Sequence, residues 1–187
     1  MALKSTIYKA NLAIADIDHG YYADHQFTLA RHPSETDERM MVRLVALALN
    51  AYKLQSVLDG NGTLAFGAGL SDPDEPDVYL RDYTLAYKLW IEVGQPEDKP
   101  VIKACGKSEE VMVYTFTHSS PVWWKAIQTK LTRPRNLSVW LLPHLASQEL
   151  AAMAQRSMQL QATIQEGTLM LSDGTNTVSV EPQKLLG

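Results

Sequence analysis

Three short apolar runs constrain this chain more than any other feature: LWIEV at 89–93, VMVYTF at 111–116 and LSVWLL at 137–142. Each is nearly continuous in hydrophobicity rather than alternating, and each is rich in β-branched and aromatic residues. Strands of that kind belong in a sheet that is covered on both faces. Helical stretches separate them. PEDKPVIKACGKSEEV reads as a loop and a helix. SSPVWWKAIQTKL reads as a helix with Ser120 and Pro121 at its N-cap and N1 positions and Trp124, Ile127 and Leu131 at helical spacing. Strand, helix, strand, helix, strand is the pattern of a sheet flanked by helices.

The ends of the chain follow another rule. Tyr8, Ala10, Leu12 and Ile14 alternate with polar neighbours such as Lys9 and Asn11, which is period 2 and predicts a strand. DIDHG turns the chain, and YYADHQFTLA returns as a second strand. At the other end, residues 158–182 predict a three-stranded meander with turns at Glu166-Gly167 and Asp173-Gly174. RHPSETDERMMVRLVALALNAYK is the clearest helix. Ser34 is its expected N-cap, acids fill its first turn, and Met41, Leu44, Val45, Ala48 and Leu49 form its buried stripe. Glu38 falls on the core side of that helix, with Glu35 one turn further out. TLAFGAGL predicts a strand, SDPDEPDVYLRD an acidic loop with a short helical turn at Pro76, and ASQELAAMAQRS a helix. The expectation is an α/β (α+β) fold in one domain, 1–187: a mixed β-sheet flanked by helices, with antiparallel β-hairpin extensions at both ends.

Composition narrows the function classes. Hydrophobic residues are 45% of the chain, enough for a full core. A net charge of -4 argues against a broad non-specific grip on nucleic acid, while leaving room for a local basic groove. Cys105 is the one cysteine, so no intrachain disulfide can form and a reducing compartment is expected. There is no apolar leader at the N-terminus, and no run of the ~20 apolar residues that a membrane span needs. A soluble, cytoplasmic protein with no membrane association is the expectation. No G-x-S-x-G, G-x-G-x-x-G or P-loop pattern is present, so nothing points to a serine hydrolase, a dinucleotide-binding oxidoreductase or a Walker-type NTPase.

Glu92 is the anomaly. An ionised, unpaired carboxylate inside LWIEV would cost several kcal/mol, so a partner, a metal or an open cleft must compensate. Glu38 from the helix, Asp77 from the acidic loop and Glu92 at a strand end are carboxylates from separate elements. Such a set can hold a hard divalent cation such as Mg²⁺. Lys103 on the next helix could orient a water or steady charge on a phosphate. This order of elements resembles the PD-(D/E)XK nuclease-like fold. Gly94 stands where that family's lysine follows the strand acid, so Lys103 becomes the relocated lysine and Gln95 a further polar candidate.

The stretches RHPSETDERMMVRL, LWIEVGQP, KAC and LQATIQ, read together, resemble the YaeQ family of bacterial proteins over residues 1 to about 182. That resemblance implies a PD-(D/E)XK nuclease-like core over about residues 32–145 with a variant active site. Two functions follow as expectations. The first is a metal-dependent phosphodiesterase or nuclease, with Asp77 and Glu92 as ligands of Mg²⁺ or Mn²⁺, Glu38 completing the acidic shell, and Lys103 or Gln95 supporting the chemistry. Glu75 and Asp82 are alternatives for the second acid. The alternative is a nucleic-acid- or protein-binding regulatory module with weak or no catalysis on the same scaffold. Convergence of the Lys103 nitrogen with both carboxylates around open solvent favours the enzyme; a filled cleft favours the module.

Each residue also has a plain structural role open to it. Glu38 suits a helix dipole, Glu92 an ion pair with Lys103 or an arginine, Asp77 a solvated loop and Lys103 a solvated helix face. Asp16, Asp18, His19, Asp24 and His25 match no metal-ligand spacing, and Cys105 reads as packing. Lys125, Lys130, Arg133 and Arg135 form the one dense basic segment, a candidate rim for a nucleic-acid groove, while Trp123 and Trp124 beside them fit the buried side of their helix.

Overall fold

The structure, a computed structural model, describes residues 4–72 and 74–187. Residues 1–3 and Pro73, the latter within the expected acidic loop, lie outside them. In chain order the elements are β1 (Thr6–Asp16), β2 (Tyr21–Arg31), α1 (Asp37–Asn50), α2 (Lys53–Leu58), β3 (Gly62–Phe66), β4 (Val78–Asp82), β5 (Tyr87–Val93), α3 (Asp98–Cys105), β6 (Ser108–Thr115), α4 (Ser120–Ile127), β7 (Leu137–Leu141), α5 (His144–Ala152), β8 (Ser157–Gln165), β9 (Thr168–Ser172), β10 (Thr177–Val180) and β11 (Gln183–Leu186).

The three apolar runs are β5, β6 and β7, parallel neighbours at the centre of a six-stranded mixed sheet of order β11-β7-β6-β5-β4-β3. Helices cover both of its faces, as continuous hydrophobicity requires. On one face α3 and α4 bury Trp90, Val101, Val111, Val113, Ile127, Leu131 and Val139. On the other, Leu89, Ile91, Val93, Met112 and Tyr114 join the main core around α1.

Every residue of α1 from Met40 to Ala48 is buried. The expected stripe was therefore too narrow: Met40, Val42, Ala46 and Leu47 are also covered, and Leu49 is only half-buried. The cause is a second sheet. α1 touches β3, β4 and β5 on one side and β2 and β9 on the other, with α5 alongside. A helix filled between two sheets is apolar all round.

That second sheet corrects the expectation of separate extensions at the two ends. Its order is β10-β9-β8-β1-β2, and β1 pairs in parallel with β8 from Lys9↔Ser157 to Asp16↔Ile164. Local alternation shows which face of each strand is buried; it carries no information about a partner far along the chain.

Smaller corrections have local causes. Thr36, not Ser34, caps α1, its hydroxyl accepting from Arg39 N at 3.1 Å, while the Ser34 hydroxyl bonds the His32 ring. The second half of SDPDEPDVYLRD is strand β4, because Val78 and Leu80 alternate into the core behind an acid-rich lead. α4 begins at Ser120 with Ser119 in the cap position and no side-chain cap bond. α2 and the edge strand β11 have no expected counterpart. No helix among the described residues is long and apolar enough to cross a membrane.

Candidate functional site

Asp77 stands just before β4, beside the C-terminal end of β5, and is buried. Its Oδ2 accepts from the Val93 amide at 2.7 Å. Arg39 Nη2 donates to Asp77 Oδ1 at 2.7 Å, to Oδ2 at 2.8 Å and to the Val93 carbonyl at 3.1 Å. Arg39 Nη1 donates to Glu35 Oε1 at 2.7 Å. Glu35, expected one turn beyond Glu38 on the same line, is buried and grips the fully buried Arg43 through two bonds of 2.8 Å. The spacing 35, 39, 43 sets the three side chains in one row along the start of α1. Two arginines and two carboxylates thus form a closed, charge-balanced chain. That mutual pairing offsets the cost of burying them.

Glu92 lies against this chain without being neutralised by it. Its Oε1 accepts from Trp90 Nε1 at 2.6 Å. Burial, and then the negative charge of Asp77 beside it, push its carboxyl up to about 8, against the pull of Trp90 and Arg39. The site thus favours the protonated form of Glu92 well above the ordinary carboxylate range. Arg39 spends its charge on Asp77 and Glu35, and that shift toward the neutral form lowers the cost of an acid inside an apolar run.

Two clefts meet at Glu92. The larger, of ≈ 560 Å³, is lined by Arg39, Asp72, Glu75, Asp77, Glu92 and Gln95, among others. The smaller, of ≈ 260 Å³, is lined by Asp74, Trp90, Glu92, Lys99, Lys103 and Lys107, with Pro100 and Ala104. Lys103 and Asp77 thus border different clefts, with Glu92 and Pro100 as the shared wall. Lys103 Nζ donates to the exposed Asp74 at 2.5 Å, a surface pair of small energetic weight that holds the Asp74 carboxyl below its ordinary range.

Gln95 borders the larger cleft and donates through Nε2 to Thr117 Oγ1 at 2.7 Å and Ser119 Oγ at 2.8 Å. Gly94 has φ +113°, and a Cβ there would meet nothing within 4 Å. Backbone conformation, not space, is what disfavours a lysine at this position.

Glu38 is not part of either cleft. It accepts from Ser147 Oγ at 2.5 Å and lies 3.6 Å from His144 Nδ1, tying α1 to α5. Asp82 also drops out. It accepts from the Thr84 amide and hydroxyl and from the Ala86 amide, closing the β4–β5 turn. Glu75 borders the larger cleft, where its Oε2 accepts from Ala68 N at 3.3 Å. Burial pushes the Cys105 thiol up to about 11, which fits packing rather than a nucleophile.

The residues missed from sequence are Arg39, Arg43, Lys99 and Lys107. Their signals were the i, i+4 series Glu35-Arg39-Arg43 and Lys99-Lys103-Lys107. Among the described residues, no group of three or more His, Cys, Asp or Glu side chains is placed to hold a metal ion. The oxygens of Asp77 and the Val93 carbonyl, which a hard cation would use, already accept from Arg39. The residues present do not fit Mg²⁺ in this arrangement.

Comparison with known proteins agrees with this architecture. The YaeQ protein family matches residues 1–182. The YaeQ protein of Escherichia coli (strain K12) is 43% identical over 181 residues, 96% of this chain and 95% of its own. That of Salmonella typhi is 42% identical over 182 residues, 97% of this chain and 96% of its own. The crystal structure of the YaeQ protein from Xanthomonas axonopodis pv. citri matches with TM-score 0.88 at 42% identity, covering 98% of this chain and 99% of that one. The one from Pseudomonas syringae matches with TM-score 0.88 at 34% identity, covering 98% and 97%. With agreement at this level along nearly its whole length, in sequence and in fold, the chain belongs to the YaeQ family.

Proposed function

We propose that this chain is a binding module for the phosphodiester backbone of nucleic acid, built on a PD-(D/E)XK nuclease-like scaffold and without cleavage chemistry of its own. One observation carries the reading: the exposed Lys99, Lys103 and Lys107 line a single cleft with Glu92, against one exposed carboxylate, Asp74. Lysines act on phosphate as strongly hydrated point charges, and Lys99 and Lys103 on α3 with Lys107 just past its end suit a strand rather than a single small anion. Lys130, 3.7 Å from Asp98 at the start of α3, extends positive charge toward α4. Binding is favoured over hydrolysis because Lys103 turns to Asp74, and Asp77 is already neutralised by Arg39.

Fluorescence anisotropy with labelled single-stranded DNA, duplex DNA and RNA across a salt series tests this. We expect measurable binding at low salt. The triple variant Lys99→Gln/Lys103→Gln/Lys107→Gln should weaken it and flatten the log–log salt slope by about 2 to 3. No binding at low salt, or a triple variant that binds like wild type, refutes the reading. Cleavage of the probe with Mg²⁺ or Mn²⁺, lost in Glu92→Ala, would replace it with a metal-dependent phosphodiesterase.

A further inference from the structure

We infer that Arg39 is a built-in substitute for a divalent cation, a tethered guanidinium that occupies the oxygen site between Asp77 and Val93 and keeps metal ions out of the larger cleft. A single nitrogen, Nη2, gathers three oxygens at 2.7, 2.8 and 3.1 Å: both carboxylate oxygens of Asp77 and the main-chain carbonyl of Val93. These come from separate strand ends, and carboxylate and carbonyl oxygens are the donors a hard cation takes. Arg39 borders the larger cleft, so it stands on the side from which an ion would enter.

The guanidinium is also locked. Its other amino group, Nη1, is held by Glu35 at 2.7 Å, and Glu35 is pinned by Arg43, whose side chain is wholly buried and also reaches the Ala30 carbonyl at 3.1 Å. Arg39 therefore cannot swing aside without breaking a network that ties α1 to β2. A guanidinium does not lose its proton in a protein, so the charge is permanent and independent of metal supply. A divalent ion entering beside it would have to share the same three oxygens with a positive group.

This inference is independent of whether the lysine cleft binds nucleic acid, because it is read on metal alone. Mn²⁺ is titrated into the full-length protein, following heat by calorimetry and free Mn²⁺ by electron paramagnetic resonance. Wild type should show no saturable site. Arg39→Met frees Asp77 Oδ1 and the Val93 carbonyl and leaves Asp77 Oδ2 with only the Val93 amide, while Glu35 keeps Arg43 as its partner. It should gain one Mn²⁺ site at least about tenfold tighter than any wild-type binding, and Asp77→Asn in that background should abolish it. Mn²⁺ should also raise the unfolding temperature of Arg39→Met but not of wild type. Arg39→Gln, which keeps a donor for Asp77 and drops the charge, is the second variant and should gain the same site.

Saturable Mn²⁺ binding by wild type that Asp77→Asn removes would overturn the inference, and this arm needs no Arg39 variant to fold. So would folded Arg39→Met and Arg39→Gln proteins that bind Mn²⁺ no better than wild type.

Discussion

At the scale of single residues, the raised carboxyl of Glu92 makes the sharpest prediction. Its carboxyl is raised in the folded protein by burial and by Asp77. The folded state therefore keeps a proton that the unfolded chain releases at ordinary carboxylate pH. Such a group leaves stability highest below the unfolded carboxylate range, lowers it as pH climbs to about 8, and has no further effect above. Urea denaturation across that window should show wild type losing stability with rising pH. Glu92→Gln, which cannot ionise and can still accept from Trp90, should lose distinctly less. Parallel curves for the two proteins would mean that Glu92 is ionised throughout. This residue was legible as an anomaly from the sequence, because an acid in an apolar run needs an explanation. Its answer was only half legible: Trp90 stands two residues away on the same face of β5, but Asp77 meets it only through the pairing of β4 with β5.

At the scale of elements, α1 is buried from Met40 to Ala48 and holds most of what sequence reading missed. The helix itself was plain from its periodicity. That it is buried on every side was not, since a second sheet had to be known first. Arg43 shows the difference: on a helix with one wet face it would be solvated, but here it is wholly buried and paired with Glu35. Arg43→Met should therefore cost about 3–5 kcal/mol in chemical denaturation, because Glu35 would keep a buried charge with only Arg39 to share. A loss below about 1 kcal/mol would show that water reaches Glu35. Replacing Glu35 and Arg43 together with apolar residues should cost less than the single change, as removing both partners spares the orphan charge. Lys99, Lys103 and Lys107 were visible as a spacing, but a shared cleft with Glu92 follows only from the packing of α3 on β5.

For the whole molecule, the decisive feature is the parallel pairing of β1 with β8, which joins the two ends of the chain in one sheet. The strands and turns of both ends were read from alternation and from the Glu166-Gly167 and Asp173-Gly174 turns. Their union was not, because pairing across such a separation leaves no mark in local periodicity. A chain ending at residue 156 should keep helical signal by circular dichroism yet lose its cooperative unfolding transition, since β1 would lack a neighbour and α1 the β9 side of its cover. Sharp two-state unfolding of that truncated chain would show that β3 to β7 and their helices stand alone, without β11 or the second sheet.

The same pairing has a consequence during synthesis. β1 leaves the ribosome among the first segments, and β8 follows only after residue 157 is made. At ordinary elongation rates that interval is on the order of ten seconds. Through it α1, buried from Met40 to Ala48 in the finished fold, is already made and lacks half of its cover. The nascent protein is therefore most exposed to aggregation and chaperone capture between the synthesis of α1 and that of β8 and β9.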